Sequence, residues 1–352
     1  MRLVLVTGAG ASRNLGADGQ PMPLMPDWSD RLCDVLDAQE ANLAAAAQLE
    51  RGMDGPGFEA AIGRLLQWRG VLPLARAFID LGGGTPGRHE APVDAWLTTQ
   101  DARVGIIVDL IHETLYELFG MQRVDDELAK DAYSRLLDKW LDKPKSFVVA
   151  TTNYDLSVDT ALAETGHTVT AGFPPPSGRA PTFSPRGIVD WEADTPHAGR
   201  IPVLHLHGAV GWYEQGGRVL QQYGDQGFNI TLGRPVVLYP DPEKDPTNDA
   251  TVSVLWAEFR NALDPATHVL VIGHSLHDPA LVAALAAKRD RVAVLVYDGD
   301  GFEDQLARVA DLLPDAVIVL GEFGAEPRFQ DSSVLSKWVE RNNEPGRHGA
   351  PG

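Results

Sequence analysis

The second half of the chain alternates short apolar runs with segments of helical periodicity. One apolar run, LVLVT (3–7), stands at the start, and six more follow after a long interval: SFVVAT (146–151), IPVLHLHG (201–208), PVVLY (235–239), HVLVIG (268–273), RVAVLVY (291–297) and AVIVL (316–320). Between the last four runs, apolar residues recur at the three- and four-residue spacings of helices. Apolar strands that alternate with helices predict an α/β protein with a doubly wound parallel sheet.

A long helical block separates the first predicted strand from the second. From Asp27 the chain is rich in Ala and Leu at helical spacing, and the pattern continues to about residue 142 with one glycine-rich break. We therefore predict a Rossmann-like domain formed by residues 1–26 and 143–340, with a mostly helical insertion domain at residues 27–142 after the first strand. The polar segment 341–352 is predicted to be a disordered tail.

Composition narrows the classes of function. The formal net charge is -19 and no cluster of Lys or Arg stands out, so we predict no direct nucleic-acid binding. Cys33 is the single cysteine, so the chain cannot build a multi-cysteine zinc site, and we expect no metal. No apolar stretch approaches the roughly 20 residues of a membrane helix, and the first apolar run is too short for a signal peptide. A soluble, cytoplasmic protein is predicted.

Doubly wound sheets bind their ligands in the crevice at the carboxyl ends of the strands. The residues that directly follow each predicted strand are therefore candidates for a site. They are GAGAS (8–12), TTNYD (151–155), HGAVGW (207–212), YPDP (239–242), GHSLHD (273–278) and YDGD (297–300). If the sheet is parallel throughout, all six segments lie at one edge.

The first two segments each have more than one interpretation. GAGAS could let the backbone approach a pyrophosphate, but it could also be a tight turn, because Arg13 replaces the third glycine of the dinucleotide fingerprint. In TTNYD, Asn153 or Asp155 could cap the following helix. On an extended exit from the strand, both side chains would instead point into the crevice, and Tyr154 would point towards packing.

The histidines and Ser275 suggest further kinds of site. His207, at a strand end, could act as a general base near neutral pH. A metal pair of His205 and His207, helped by the two histidines of GHSLHD, is an alternative. Ser275 resembles the serine of a nucleophile elbow, but His277 stands where that strained turn needs glycine, which disfavours a serine hydrolase.

In combination, GAGAS, TTNYD, LHLHGAVGW and VIGHSLHDP, in this order, resemble the sirtuin (SIR2-like) family. The pattern of that family is GAGxS, TxNxD, HG, and GxSxxD before a helix, and the resemblance spans residues 3 to about 298. Protein-deacylating sirtuins differ, because they carry a four-cysteine zinc ribbon and have Gln and an aliphatic residue in place of Thr152 and Tyr154. The zinc-free form with a helical insert is similar to bacterial SIR2-like NAD+ hydrolases of antiviral defence.

The resemblance implies cleavage of the nicotinamide–ribose bond of NAD+, the substrate, to give nicotinamide and ADP-ribose without a metal. Three residues are expected to be catalytic: Asn153 orients water at the ribose, Asp155 holds the nicotinamide amide, and His207 bonds a ribose hydroxyl and acts as general base. The other binding residues are expected to be Gly8, Ala9, Gly10 and Ser12 at the pyrophosphate, Thr152 beside Asn153, and Gly273, Ser275 and Asp298 at the adenosine end.

The resemblance also implies a biological role. Members of that branch destroy NAD+ when a phage is sensed, so an effector of antiphage defence by NAD+ depletion is expected. The chain ends soon after its last predicted strand. Control is therefore expected to come from assembly into a homo-oligomer or from a partner sensor protein, for example an ATPase or an Argonaute-type chain. Two other functions stay open: a zinc-free NAD-dependent deacylase, and a non-catalytic module that binds NAD or ADP-ribose.

Overall fold

A computed structural model of the chain describes residues 2–39, 43–53, 55–81, 90–120, 124–140, 146–173, 200–222, 230–238, 249–297, 301–321, 323 and 333–343. Contacts divide the chain into two compact units. The first unit comprises Met1–Met22, Phe119–Leu238 and Pro246–Gly352, and the second comprises Pro23–Leu118 and Tyr239–Asp245. The described strands all belong to the first unit, and most of the helical residues between the first two strands belong to the second.

The described ranges contain ten strands and eleven α-helices. The strands are β1 Arg2–Thr7, β2 Ser146–Thr151, β3 Thr168–Thr170, β4 Arg200–His205, β5 Gly208–Gln215, β6 Arg218–Gln221, β7 Arg234–Val237, β8 His268–Ile272, β9 Val292–Val296 and β10 Val317–Leu320. The helices are α1 Ala9–Ser12, α2 Met25–Gln39, α3 Leu43–Ala46, α4 Gly55–Leu81, α5 Glu90–Phe119, α6 Asp126–Trp140, α7 Ser157–Glu164, α8 Ala250–Leu263, α9 Pro279–Ala286, α10 Phe302–Leu312 and α11 Ser333–Asn343.

Seven of these strands form one parallel sheet in the order β10-β9-β8-β1-β2-β4-β3. One half of the chain extends the sheet from β1 through β2, and the other half extends it from β8, so the strand order reverses between β1 and β8. Ligand crevices of doubly wound sheets lie at such a reversal. The predicted fold class, a doubly wound Rossmann-like α/β sheet with a helical region after its first strand, is confirmed.

Helices cover both faces of the sheet because the central strands are apolar at successive positions. Along β1, alternate side chains point to opposite faces. Leu5 packs on one face with Tyr133 of α6, and Val6 packs on the other face with Trp256 of α8. Each such buried aliphatic side chain stabilises the fold by about 1.5–3 kcal/mol relative to exposure. The apolar runs therefore fix the position of the polar residues that follow them.

A second, smaller sheet was not expected. The strands β5, β6 and β7 form an antiparallel sheet in the order β6-β5-β7. The prediction that PVVLY (235–239) belongs to the alternating parallel sheet is wrong, because β7 pairs with β5 instead. The hairpin between β5 and β6 turns at Gly216 and Gly217, which both have positive φ. A Gly-Gly pair between short apolar segments is a hairpin signal, and it could have revealed this sheet.

The second unit is helical. Its core includes Trp28 of α2, whose ring meets that of Phe58 of α4 with centroids 5.1 Å apart. The indole of Trp28 also donates to the Thr114 hydroxyl of α5 at 2.9 Å. Among the described residues of the chain, no helix is long and apolar enough to cross a membrane. The domain boundaries drawn from the sequence stay predictions, and residues 344–352 of the predicted tail lie outside the described residues.

Candidate functional site

The carboxyl ends of four neighbouring strands meet at one edge of the parallel sheet. The last residues of β8, β1, β2 and β4, which are Ile272, Thr7, Thr151 and His205, lie side by side in the register. The segments GAGAS, TTNYD, HG and GHSLHD leave the sheet from these positions. The segment YPDP follows β7 of the other sheet and lies outside the described residues, as does Asp298.

The glycines of GAGAS allow close contact with the loop that follows β8. The Gly8 amide donates to the Ile272 carbonyl at 2.9 Å, and the Gly10 amide donates to the Gly273 carbonyl at 2.8 Å. A Cβ atom on Gly8 would lie 2.7 Å from the Gly273 oxygen, and one on Gly10 would lie 2.9 Å from the Gly273 Cα. Loop packing therefore accounts for both glycines. The predicted pyrophosphate contact stays a prediction, and it would need groups other than these two amides.

Asn153 lies just after β2, and both its backbone N–H and its side-chain nitrogen donate hydrogen bonds. Its backbone N–H donates to the Thr151 hydroxyl at 3.1 Å, and its Nδ2 donates to Ser12 Oγ at 2.8 Å. The side-chain oxygen, Oδ1, is buried and has no hydrogen-bond partner among the described residues. The hydroxyl oxygen of Thr7, at the end of β1, is also buried without a hydrogen-bond partner among the described residues. Buried oxygens without donors are costly, so two acceptors at this edge are available to a ligand or water.

Asp155 is buried beside Asn153 and faces the start of α7. Its Oδ1 accepts from the Ser157 amide at 2.9 Å and from Ser12 Oγ at 3.2 Å. Burial raises the pKa of this carboxyl, although the Ser157 and Ser12 hydrogen bonds and the charge of His205 oppose the rise. Asp155 thus bonds the amide of the first residue of α7 and shares Ser12 with Asn153, but the predicted cap is not formed, because the residue at the cap position is Leu156 and the helix has no side-chain cap bond.

Tyr154 contacts side chains and backbone other than those that Asn153 and Asp155 contact, in a segment that bends at residues 154–155. The tyrosine is buried, and its hydroxyl donates to the Leu238 carbonyl at 3.0 Å. Its ring lies 6.0 Å from that of Phe119 and 6.4 Å from the imidazole of His207, between centroids. Tyr154 therefore forms part of the packing that supports the predicted base.

His207 is paired with an aspartate for which the sequence predicted no role. Its Nε2 lies 2.8 Å from Asp278 Oδ2, and both side chains are buried. Asp278 Oδ1 accepts at the same time from the Ala280 and Leu281 amides at 2.9 and 3.1 Å, and so caps α9. The motif GxSxxD contains Asp278, but an Asp before Pro at a helix start is typical of a helix cap. The sequence therefore did not indicate its contact with His207.

The His207–Asp278 pair crosses the carboxyl ends of the two central strands. His207 follows β4 and Asp278 follows β8, and β1 and β2 lie between these strands. Three strand spacings of about 4.8 Å separate them by roughly 14 Å in the plane of the sheet. The segments that carry the two side chains therefore converge beyond the carboxyl ends of the strands.

His205 has a different environment although it is only two residues away. Its side chain is fully buried, with Nε2 2.8 Å from Asp159 Oδ2 of α7. Burial alone lowers the pKa of His205, but the carboxylates of Asp159 and Asp155 outweigh burial, so the pKa is raised. Within the described part of the chain, no group of three or more His, Cys, Asp or Glu side chains is arranged to hold a metal. His205 and His207 thus bond separate carboxylates.

The loop GHSLHD has a strained backbone that holds His274 by its ring. Gly273 has φ of 64° and Leu276 has φ of 58°, in the left-handed region that side chains disfavour. The Leu276 amide donates to His274 Nδ1 at 2.8 Å. That nitrogen must therefore carry a lone pair, which fixes the imidazole of His274 in the tautomer protonated on Nε2. The side chains of Ser275 and His277 are exposed.

The structure thus brings most predicted site residues to one edge. Asn153, Asp155 and Ser12 form one hydrogen-bonded group, and Thr152 joins β1 through its amide, which donates to the Thr7 carbonyl at 3.1 Å. Gly8, Ala9 and Gly10 follow β1, and Gly273 and Ser275 follow β8, which neighbours β1 in the sheet. The roles given to these residues stay predictions.

Comparison with known families agrees with this arrangement. A family model described as a SIR2-like domain matches residues 148–294, less than half of the chain. The matched part contains Asn153, Asp155, His207 and Asp278, whereas GAGAS precedes it. No curated protein matches the chain. The match supports the SIR2-like family and an NAD-related activity for this region.

Proposed function

We propose that this protein hydrolyses NAD+ at the bond between nicotinamide and ribose. The observation that carries the proposal is the buried Oδ1 of Asn153, which has no hydrogen-bond partner among the described residues and lies at the same sheet edge as the His207–Asp278 pair, in the region that matches a SIR2-like domain. An acceptor and a base at one sheet edge are suited to adding water to a sugar carbon. NAD+ serves as substrate, and no metal is invoked.

The chemistry of the bond favours acceptor groups over acids. Nicotinamide leaves NAD+ as a neutral molecule from a cationic ring, so its departure needs no proton. The transition state resembles an oxocarbenium ion, in which positive charge develops on the ribose. A fixed dipole with its negative end near that charge lowers the barrier, and a held water shortens the path to attack. We assign both tasks to Asn153 Oδ1.

The His207–Asp278 pair supports the role of His207 as general base. If Nε2 donates to the Asp278 carboxylate, the neutral imidazole carries its lone pair on Nδ1. Nδ1 would then accept a proton from a ribose hydroxyl or from the attacking water. The carboxylate would stabilise the imidazolium that results, which is the same division of labour as in other histidine–aspartate pairs.

The remaining contacts are proposed from the resemblance and from the layout of the edge. The loops of GAGAS and GHSLHD would hold the pyrophosphate and the adenosine end. Because Asp155 Oδ1 already accepts two hydrogen bonds, a contact with the nicotinamide amide would fall to Oδ2. The protein would deplete NAD+ as an effector of antiphage defence. Its activity would be controlled by homo-oligomerisation or by a partner sensor chain, without direct binding of nucleic acid.

The test is nicotinamide release by the purified protein. NAD+ is incubated with and without an acyl-lysine peptide, and nicotinamide and ADP-ribose are separated by chromatography. We expect release without the peptide, reduced at least about 100-fold by His207→Ala and Asn153→Ala. The matched control is His167→Ala. His167 lies between α7 and β3, and its replacement should leave the wild-type rate unchanged.

Each alternative predicts a different result. Release that requires the peptide would identify a zinc-free deacylase, and binding of NAD+ without any release would identify a binding module. Silence in vitro combined with NAD+ loss in phage-challenged cells, abolished by His207→Ala, would show that an activator is needed. Retention of NAD+ in both settings would refute the hydrolase.

A further inference from the structure

Ser12 lies at the centre of a buried polar group that joins GAGAS to TTNYD. Its Oγ is 2.8 Å from Asn153 Nδ2, 2.8 Å from Ser157 Oγ and 3.2 Å from Asp155 Oδ1. The side chain of Ser12 is 1% exposed, so its hydroxyl is engaged with these three neighbours. The chain positions are more than 140 residues apart for each of these contacts, so the contacts exist only in the folded protein.

The hydrogen-bond polarity in this group runs in one direction. An ionised carboxylate only accepts hydrogen bonds, whereas an amide nitrogen only donates. Ser12 has a single hydroxyl proton, which it can give to Asp155 or to Ser157. Its oxygen then serves as the acceptor for Asn153 Nδ2. With its nitrogen held in this way, the amide of Asn153 must turn Oδ1 away from Ser12.

A second observation concerns the side-chain oxygen of Asn153. Asn153 is 7% exposed, and its Oδ1 has no hydrogen-bond partner among the described residues. If the amide were reversed, Oδ1 could be satisfied by the Ser12 proton, and Asp155 would lose that donor. The arrangement therefore leaves an acceptor unsatisfied at the sheet edge while it satisfies the buried carboxylate.

We propose that Asp155 and Ser12 form a positioning relay that fixes the amide of Asn153 with its carbonyl oxygen towards the reacting ribose. This inference rests on the proposed NAD+ hydrolysis. It gives the serine of GAGAS a task different from a pyrophosphate contact, because Ser12 acts through Asn153. Ser12 is in this sense a positioning residue, and of these two side chains Asn153 is the one that touches the substrate or its water.

The test compares three alanine variants of the full-length chain. Ser12→Ala removes the acceptor of Asn153 Nδ2. Ser157→Ala removes one neighbour of Ser12 but leaves the Ser12–Asn153 contact. Ser29→Ala is the control for loss of a buried hydroxyl, because Ser29 is fully buried and donates to the Glu50 carbonyl at 2.6 Å in the helical unit. Thermal unfolding of each variant checks the fold.

Three quantities separate positioning from binding. They are kcat for nicotinamide release, the Kd of ADP-ribose by calorimetry, and the ratio of methyl ADP-ribose to ADP-ribose formed in dilute methanol. For Ser12→Ala we expect kcat to fall about 10- to 100-fold, because a loosened group loses its orientation. The Kd of ADP-ribose should stay within about threefold, and the methanol ratio should shift because water is no longer selected. Ser157→Ala should show a smaller fall, and Ser29→Ala none.

The failing outcomes are distinct. If Ser12→Ala weakens ADP-ribose binding as much as it lowers kcat/KM, Ser12 contacts the ligand directly and the relay is wrong. If Ser12→Ala behaves like Ser29→Ala while the wild-type protein turns over, the relay is also wrong but the hydrolase stands. If the wild-type protein neither releases nicotinamide in vitro nor depletes NAD+ in phage-challenged cells, the hydrolase is refuted and the relay is refuted with it.

Discussion

Replacing Asp278 by asparagine separates the two tasks of that side chain. In the folded protein, Oδ1 caps α9 through the Ala280 and Leu281 amides, and Oδ2 bonds His207 Nε2. In Asp278→Asn the amide oxygen can keep the cap, and the amide nitrogen then faces His207. Two donors cannot bond each other, so His207 must move its own proton to Nδ1. The nitrogen assigned as base would no longer carry a lone pair.

The size of the effect follows from what is lost. General-base catalysis contributes about 10²- to 10⁴-fold, so kcat for nicotinamide release should fall by that factor in Asp278→Asn. Stability should change little because the cap remains. Asp278→Ala should lose the same activity and also about 2–5 kcal/mol of unfolding free energy, the sum of a lost cap and an unpaired buried imidazole.

Asp249 offers a matched control within the same fold. Its Oδ1 caps α8 through the Thr251 and Val252 amides at 2.9 and 3.1 Å, the same distances as at Asp278. Its Oδ2 bonds Arg234 at 3.1 Å and not a histidine. Asp249→Ala should therefore cost about 1 kcal/mol of stability and leave kcat unchanged.

The assay measures nicotinamide release against pH, together with urea unfolding. The activity of Asp278→Asn should lie far below that of the wild-type protein at every pH tested. A wild-type rate in Asp278→Asn would refute the reasoning. An equal loss in Asp249→Ala would refute it as well, because the effect would then belong to helix capping.

Three further predictions concern stability. Gly273→Ala should lower the free energy of unfolding in urea by at least about 3 kcal/mol, because φ at this position is positive and the added Cβ would lie 2.1 Å from a backbone nitrogen. Gly19 also has a positive φ but has open space around it, so Gly19→Ala should cost only about 1 kcal/mol. The raised pKa of His205 beside Asp159 stabilises the fold below the unfolded pKa of about 6.5, and this contribution should disappear as pH rises through the folded pKa; His205→Gln should abolish that dependence. The pKa of Asp155 is also raised, so the free energy of unfolding should fall as pH rises above about 4. Asp155→Asn should remove this loss of stability at pH 7, while nicotinamide release falls.

The sequence was sufficient for the parallel sheet because burial on both faces leaves a strong signal. The runs at β1, β8 and β9 are apolar at nearly every position, and helices separate the later ones. The three residues of β3 are too few to give a pattern. The small sheet was missed because β5 begins three residues after β4 ends, so its first residues were interpreted as the segment HGAVGW that follows the preceding strand.

The sequence placed Asn153, Asp155 and His207 at the correct edge but could not pair their side chains. Alternation along a strand predicts the direction of a side chain and not its partner. The contact of His207 with Asp278 spans 71 residues, and that of Ser12 with Asn153 spans 141. Both contacts join segments that follow different strands, so they depend on the three-dimensional course of these segments and not on a local pattern.

Two buried aspartates connect the stability of the fold to the chemistry of the site. Asp278 caps α9 through two backbone amides and also bonds His207, whereas Asp155 bonds the single amide of Ser157 at the start of α7 and also bonds Ser12. A hydrogen bond to a helix start holds a carboxylate on a rigid element, so the polar side chain that the carboxylate also bonds is held in place as well. The orientation of Asn153 and the tautomer of His207 then follow from the positions of α7 and α9. On the proposed mechanism, a displacement of either helix start from the sheet edge would break these bonds and lower nicotinamide release.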